Sequence, residues 1–193
     1  MTPAPLFLLV DLPDGASETE QLALRDWIAS ATAEGGAFAA CAHRIEGASH
    51  LLTLPSAAPA FDLHAACNLA LWPCPVRTVL ASASPERANK ARAHRRRRRW
   101  PFLLELDGFA APVAALAESA ARLHAAILAD WKPSRAKAAA TMRTVTTQQD
   151  AADALGIRQQ SVSDALRAAH AKDLVALEDS VREVLRALDL TLI

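Results

Sequence analysis

The chain has 193 residues, room for one medium domain or two small ones, and its 52% hydrophobic and 22% charged content excludes a disordered chain. Lysine and arginine total 21 against 21 aspartates and glutamates, so the formal net charge is zero and any affinity for a polyanion must come from local clustering. No apolar stretch is long enough to span a bilayer, which excludes a helical membrane protein.

Leu6 to Leu12 (LFLLVDL) is a continuous apolar run ending in Pro-Asp-Gly, the pattern of a buried strand followed by a turn. Ser17 with Glu20 three residues on predicts a capping box, and the helix it opens carries Leu22, Leu24, Trp27 and Ile28 up to Gly35-Gly36. Phe38 to Ile45 and His50 to Leu54 predict two short strands joined by a turn at Glu46-Gly47-Ala48. A second helix is predicted from about Phe61 to Trp72, broken by Pro73 and Pro75, and Val76 to Ala83 returns to strand character. The predicted order β-α-β-β-α-β resembles the ferredoxin-like or cyclase-like split βαβ arrangement.

A catalytic version of such a domain would need carboxylates at strand ends to hold divalent cations. Here Asp11 and Asp14 stand alone, with only Glu46 near the hairpin, and one acidic cluster is too few for two-metal chemistry. Asp11 is expected to order its turn. No glycine-rich phosphate loop, HExxH or GxSxG occurs, so the sequence points to no catalytic residues and no cofactor.

Ser84-Pro85-Glu86 has the composition of a helix start. Beyond it the basic segment 87–99 ends in five consecutive arginines, Arg95, Arg96, Arg97, Arg98 and Arg99. At 100° per residue five neighbours cover the whole helix circumference, so the run should project outward and contact a polyanion backbone. Phe102 to Leu106 predicts a further strand. From about Pro112 to Trp131, Val113, Leu116, Ala120, Leu123, Ile127 and Trp131 recur at helical spacing and predict a connecting helix or half of a dimer contact.

Ser134 to Met142 predicts a short leading helix, and Gln148 to Arg167 (QQDAADALGIRQQSVSDALR) reads as a helix-turn-helix. Ala152 is small enough for close helix approach, Gly156 can take the left-handed backbone that ends the first helix, and Ile157, Val162 and Leu166 are expected to fill the angle. The polar remainder can meet DNA. Gln159, Gln160 and Ser163 are the candidate base readers, since glutamine pairs bidentately with adenine, and Ser161 can hydrogen-bond beside them. Thr147, Arg158 and Arg167 would hold phosphates, with Arg95 to Arg99 adding contacts outside the core site. Asp164 is discordant: it repels phosphate unless it accepts from cytosine or pairs with Arg167 or Arg158.

Downstream, Leu174, Leu177, Val181, Val184 and Leu188 form a stripe at spacings of three and four, either a short heptad seam or a face packed back on the helical core. The stretch Thr146 to Leu166 (TTQQDAADALGIRQQSVSDAL) resembles bacterial SatD-family proteins, with Asp11 and Val76-Arg77 compatible. That family carries an acidic GDEFQ-like stretch, where this chain has only Ser49 to Ser56. The resemblance implies an N-terminal α/β domain followed by a C-terminal helix-turn-helix.

The expected architecture is α/β (α+β): a ferredoxin-like/cyclase-like βαββαβ domain over 1–108, a connecting helix over 109–132, and an all-α helix-turn-helix domain over 133–193. The expected function is sequence-specific DNA binding as a homodimer, in the manner of a transcriptional regulator. A nucleotide-binding or cyclase-like sensor with an accessory helical module is the alternative. Cys41, Cys67 and Cys74 lack CxxC spacing and predict buried thiols in a reducing cytosol, with no metal at His64 or His43. Pro3, Pro5, Asp11 and Pro13 interrupt the N-terminal segment, so the expectation is a cytoplasmic protein without membrane contact.

Overall fold

Strand β1 (Leu6–Asp11) lies at the middle of a five-stranded sheet, flanked by β3 (Ser49–Leu54) and β4 (Arg77–Ser82), both antiparallel to it. β2 (Ala42–Glu46) pairs antiparallel beyond β3, and β5 (Phe102–Glu105) pairs parallel beyond β4, giving the order β2-β3-β1-β4-β5. The computed structural model describes residues 5–46, 49–95, 101–106 and 111–189, and the side chains of residues 92, 94, 95, 188 and 189 lie outside that description.

The central position accounts for β1 being apolar on both faces. Leu8 and Val10 point into the larger core with Leu52, Leu54 and Leu80. Leu9 points the other way, where α3 (Pro85–Arg95) covers the sheet with Ala88 and Ala91. Because α3 links β4 to β5, a parallel pair, it must cross over a face of the sheet. The larger core is closed by α1 (Glu18–Thr32), α2 (Pro59–Ala70), α4 (Ala111–Ala129) and α8 (Ala171–Asp189), which contribute Leu24, Ile28, Phe61, Leu63, Ala117, Ala121, Val181 and Leu185.

Local chemistry sets several boundaries. At the start of α1 the Glu20 amide donates to Ser17 Oγ at 3.3 Å and Glu20 Oε2 accepts from the Ser17 amide at 2.7 Å, a reciprocal capping box. The strand expected from Phe38 begins only at Ala42. Residues 36–41 instead close successive turns, with Phe38 N donating to Ala31 O and Cys41 N to Phe38 O. Gly36 makes this possible, since a Cβ there would stand 2.4 Å from Ala31 O. Phe38 then packs its ring on Trp27 rather than joining the ladder.

Of the stripe expected on the connecting helix, Trp131 is buried and Ala120 and Ile127 pack at core edges, but the buried centre of α4 lies one step over. α4 buries Ala117, Ala121, His124 and Leu128, while Leu116 and Leu123 are 61% and 55% exposed. Alanines at the contact let the helix lie close to the sheet, and His124 tolerates burial because it has a partner on α8. On a helix this rich in alanine, two neighbouring stripes are equally apolar in sequence, and packing selects between them.

α5 (Pro133–Met142), α6 (Gln148–Leu155) and α7 (Gln159–Ala168) form the helical part before α8. The apolar stripe of α8 is filled by this chain itself. Leu174 joins Trp131, Ala136 and Ala169, whereas Val181 and Leu185 enter the sheet core beside α2 and α4. The heptad-seam expectation is thereby replaced by intramolecular packing; Leu188 falls outside the described side chains. Arg182 anchors the same helix to α2 through two 2.7 Å hydrogen bonds to Asp62. Cys41, Cys67 and Cys74 are buried free thiols. No helix among the described residues is long and apolar enough to cross a membrane.

Candidate nucleic-acid interface

The junction between α6 and α7 is built from residues whose sizes and conformations fit together. Ala151 and Ala152 on α6 are fully buried against Val162 on α7, with Leu155 and Leu166 closing the edge. Gly156 takes φ 64, and the chain reverses there. Ile157 N donates to Ala152 O at 3.0 Å and Gly156 N to Asp153 O at 3.2 Å, the paired bonds of a Schellman ending. Ile157 itself does not fill the angle: it is 46% exposed, because the reversal places it beyond the helix rather than between the helices. Replacing Gly156 with alanine meets no neighbouring atom but forces a Cβ into left-handed backbone. Gly156→Ala should therefore cost about 1–2 kcal/mol of stability in a urea melt, with the fold otherwise retained.

Thr147 is the N-cap of α6; its Oγ1 accepts from the Asp150 amide at 3.1 Å, and Asp150 Oδ2 accepts from the Thr147 amide. The hydroxyl oxygen is thus committed to the cap. Arg158, the N-cap of α7, has no side-chain capping bond and is exposed, as are Gln159, Gln160 and Ser161.

Helical spacing sorts these residues by face. Val162, Leu166 and Ala169 define the inward side of α7, and Gln160, Asp164 and Arg167 stand opposite it, four and three residues apart. They form one hydrogen-bonded group: Gln160 Nε2 donates to Asp164 Oδ1 at 3.1 Å and Arg167 Nη1 donates to the same oxygen at 3.0 Å. The acid that is discordant in sequence is thus held between an amide and a guanidinium. Gln159 and Ser163 lie to one side, and Ser163 is half-buried. α3 ends at Arg95, whose side chain, with Arg96, Arg97, Arg98 and Arg99, lies outside the described residues.

A second polar cluster is not foreshadowed by any motif. Glu178 on α8, 3% exposed, accepts from Arg143 Nη2 at 2.6 Å and from His124 Nε2 at 3.1 Å. Burial alone would push its carboxyl up; the bonds from His124 and Arg143 together outweigh that and hold it below the usual carboxylate range. Arg143 is the C-cap of α5 and His124 belongs to α4, so one carboxylate ties three helices together. Trp72 Nε1 donating to Leu128 O and Trp131 Nε1 donating to Ala169 O reinforce the same seam. The signal in the sequence is the presence of His124 and Glu178 inside otherwise apolar stripes.

His64, three residues before Cys67, is completely buried. Its Nδ1 meets Thr78 Oγ1 at 3.0 Å, and Asn68 next to it accepts from the Val76 amide at 2.8 Å. Asp11 sits opposite Arg77 in the β1–β4 ladder, and Arg77 Nη2 donates to Leu12 O. Among the described residues no three His, Cys, Asp or Glu side chains are arranged to hold a metal ion. Comparison with known protein families, characterised proteins and solved structures finds no match to this chain.

Proposed function

We propose that this protein binds DNA through α6 and α7, with α7 entering the major groove. The observation that supports this best is the division on α7: Val162 is fully buried against Ala151 and Ala152, while Arg158, Gln159, Gln160 and Ser161 at its N-terminal end are all exposed. Recognition helices present that end to base edges. Gln160, central on the outward face, is the leading base reader, with Gln159 and Ser163 at its flank. Arg158 and Arg167 take phosphates, and Thr147 adds a hydroxyl donor.

The arginines 95–99 supply sequence-independent attraction in this proposal, and the chain acts as a homodimer on a two-fold site, in the manner of a cytoplasmic transcriptional regulator. Leu116 and Leu123 on α4 offer exposed apolar surface to such a dimer. The resemblance of Thr146 to Leu166 to SatD-family proteins belongs to the same proposal. So does a ferredoxin-like description of the N-terminal part, supported by the order β2-β3-β1-β4 with antiparallel neighbours throughout.

Selection from a random DNA pool, followed by affinity measurements at two salt concentrations, tests the proposal. A recurring half-site should emerge. Replacing Arg95 to Arg99 with glutamine should weaken all sequences alike and lower the salt slope by about 0.9 for each phosphate no longer neutralised. Failure to enrich any sequence, together with no retardation of DNA at low salt, would refute DNA binding.

A further inference from the structure

A glutamine amide can meet a base either way round, with its oxygen or its nitrogen foremost. On the outward face of α7 the neighbours of Gln160 make that choice. Gln160 Nε2 donates to Asp164 Oδ1 at 3.1 Å. An ionised carboxylate has no hydrogen to give, so only the nitrogen end of the amide can face it. Oε1 is thereby turned away from Asp164, and it accepts no hydrogen bond among the described residues. Arg167, one turn further on, donates from Nη1 to the same Asp164 oxygen at 3.0 Å and so holds the carboxylate from its other side. Nε2 carries a second hydrogen, which remains for a base.

With oxygen and one N–H presented in a set order, the four bases are no longer equivalent. Adenine alone offers a donor, N6, beside an acceptor, N7, on one major-groove edge. Guanine shows two acceptors and thymine one, each of which would meet Oε1 lone pair to lone pair. Cytosine offers a donor at N4 and no acceptor for the remaining hydrogen. To read guanine the amide must turn over and put its oxygen against the Asp164 carboxylate. In water a pair four residues apart steadies a helix only slightly, and that turn costs little. Between protein and DNA, where solvent is largely excluded, the same repulsion is several times stronger.

We infer that Asp164 is a positioning residue that fixes the Gln160 amide for adenine and against guanine, with Arg167 holding Asp164 in place. This rests on the DNA reading of α7 and names the base that its outward face takes. The acid that repels phosphate acts here through Gln160.

Retardation assays on two duplexes test the role: the selected site, and the same site with A·T replaced by G·C at the position whose preference Gln160→Ala abolishes. The full chain should favour adenine there by about tenfold or more. Asp164→Ala should lower that ratio by about threefold or more. In a Gln160→Ala background it should leave the ratio unchanged. Removing an acid near phosphates strengthens binding to both duplexes alike, so the ratio is insensitive to it. Gln160 and Asp164 are exposed and alanine favours helix, so the fold should survive. A ratio that Asp164→Ala leaves intact would overturn the positioning role, as would any base other than adenine at that position. So would an equal fall with and without Gln160, the mark of a released Arg167 reaching guanine by itself. Each of these results leaves DNA binding standing, whereas no retardation of either duplex by the full chain would overturn both.

Discussion

Acidification from pH 7 to pH 5 should strip about 4 kcal/mol from the stability of this protein, through two histidines held neutral in the fold. Burial pulls His64 down to about 3; nearby His124 adds to that and Glu178 opposes it. Burial, then electrostatic repulsion from His43 and Arg25, brings His50 down to about 4. Both folded values lie below the value of about 6.5 expected in an unfolded chain. Above that pH neither state binds the proton and stability is unaffected. Below it the unfolded chain gains protons that the folded chain refuses, and each histidine costs about 1.4 kcal/mol per pH unit until its folded value is reached. For His50 the window closes near pH 4 and for His64 near pH 3. His43, stacked on His50 with its Nε2 3.0 Å from His50 Nδ1, is also lowered by burial and acts in the same direction. A loss of this size is a large fraction of the total for a single domain. Urea melts at the two pH values check it. A midpoint unchanged between them would mean that these histidines are accessible to protons in the folded state.

Removing the Glu178 carboxylate should be comparably damaging. Glu178→Leu leaves His124 buried at 2% exposure with neither ring nitrogen satisfied, since its Nδ1 already lacks a hydrogen-bond partner among the described residues. It also releases Arg143, but that side chain is 38% exposed and can turn to water. The expected cost is about 3 kcal/mol, at the low end for breaking a buried pair because one partner retains solvent. His124→Leu alone should also destabilise, by leaving part of the carboxylate unpaired. The double variant should cost less than the sum of the two by about 1 kcal/mol or more, since the second change removes the group that the first left stranded. Strict additivity in urea melts would show that His124 and Glu178 do not depend on one another.

The elements with strong local signals are readable in the sequence. The apolar run of β1, the Ser17–Glu20 box and the glycine that ends α6 each depend on residues within one or two turns of chain. What escapes a sequence reading depends on partners far along the chain. α4 exposes Leu116 and Leu123 because alanines fit closer to the sheet, a choice made by its neighbours. α8 carries a heptad-like stripe whose occupant, the face of α2 and α4, lies elsewhere in the chain. Ile157 has the apolar character of a plug, but a Schellman reversal sends it outward. On α7 the residue types suggest readers and clamps. The sorting of Gln160, Asp164 and Arg167 into one bonded group needs their positions.

The DNA-binding proposal rests on Gln160 reading a base from the outward face of α7. Its most direct test is the affinity of wild type and Gln160→Ala for the selected site and for a scrambled duplex at one salt concentration. The structure leaves this side chain exposed and bonded only to Asp164 among the described residues, so the substitution should not disturb folding. The expected result is a loss of about 1–3 kcal/mol on the selected site and almost none on the scrambled duplex. Equal losses on both would contradict base reading by Gln160.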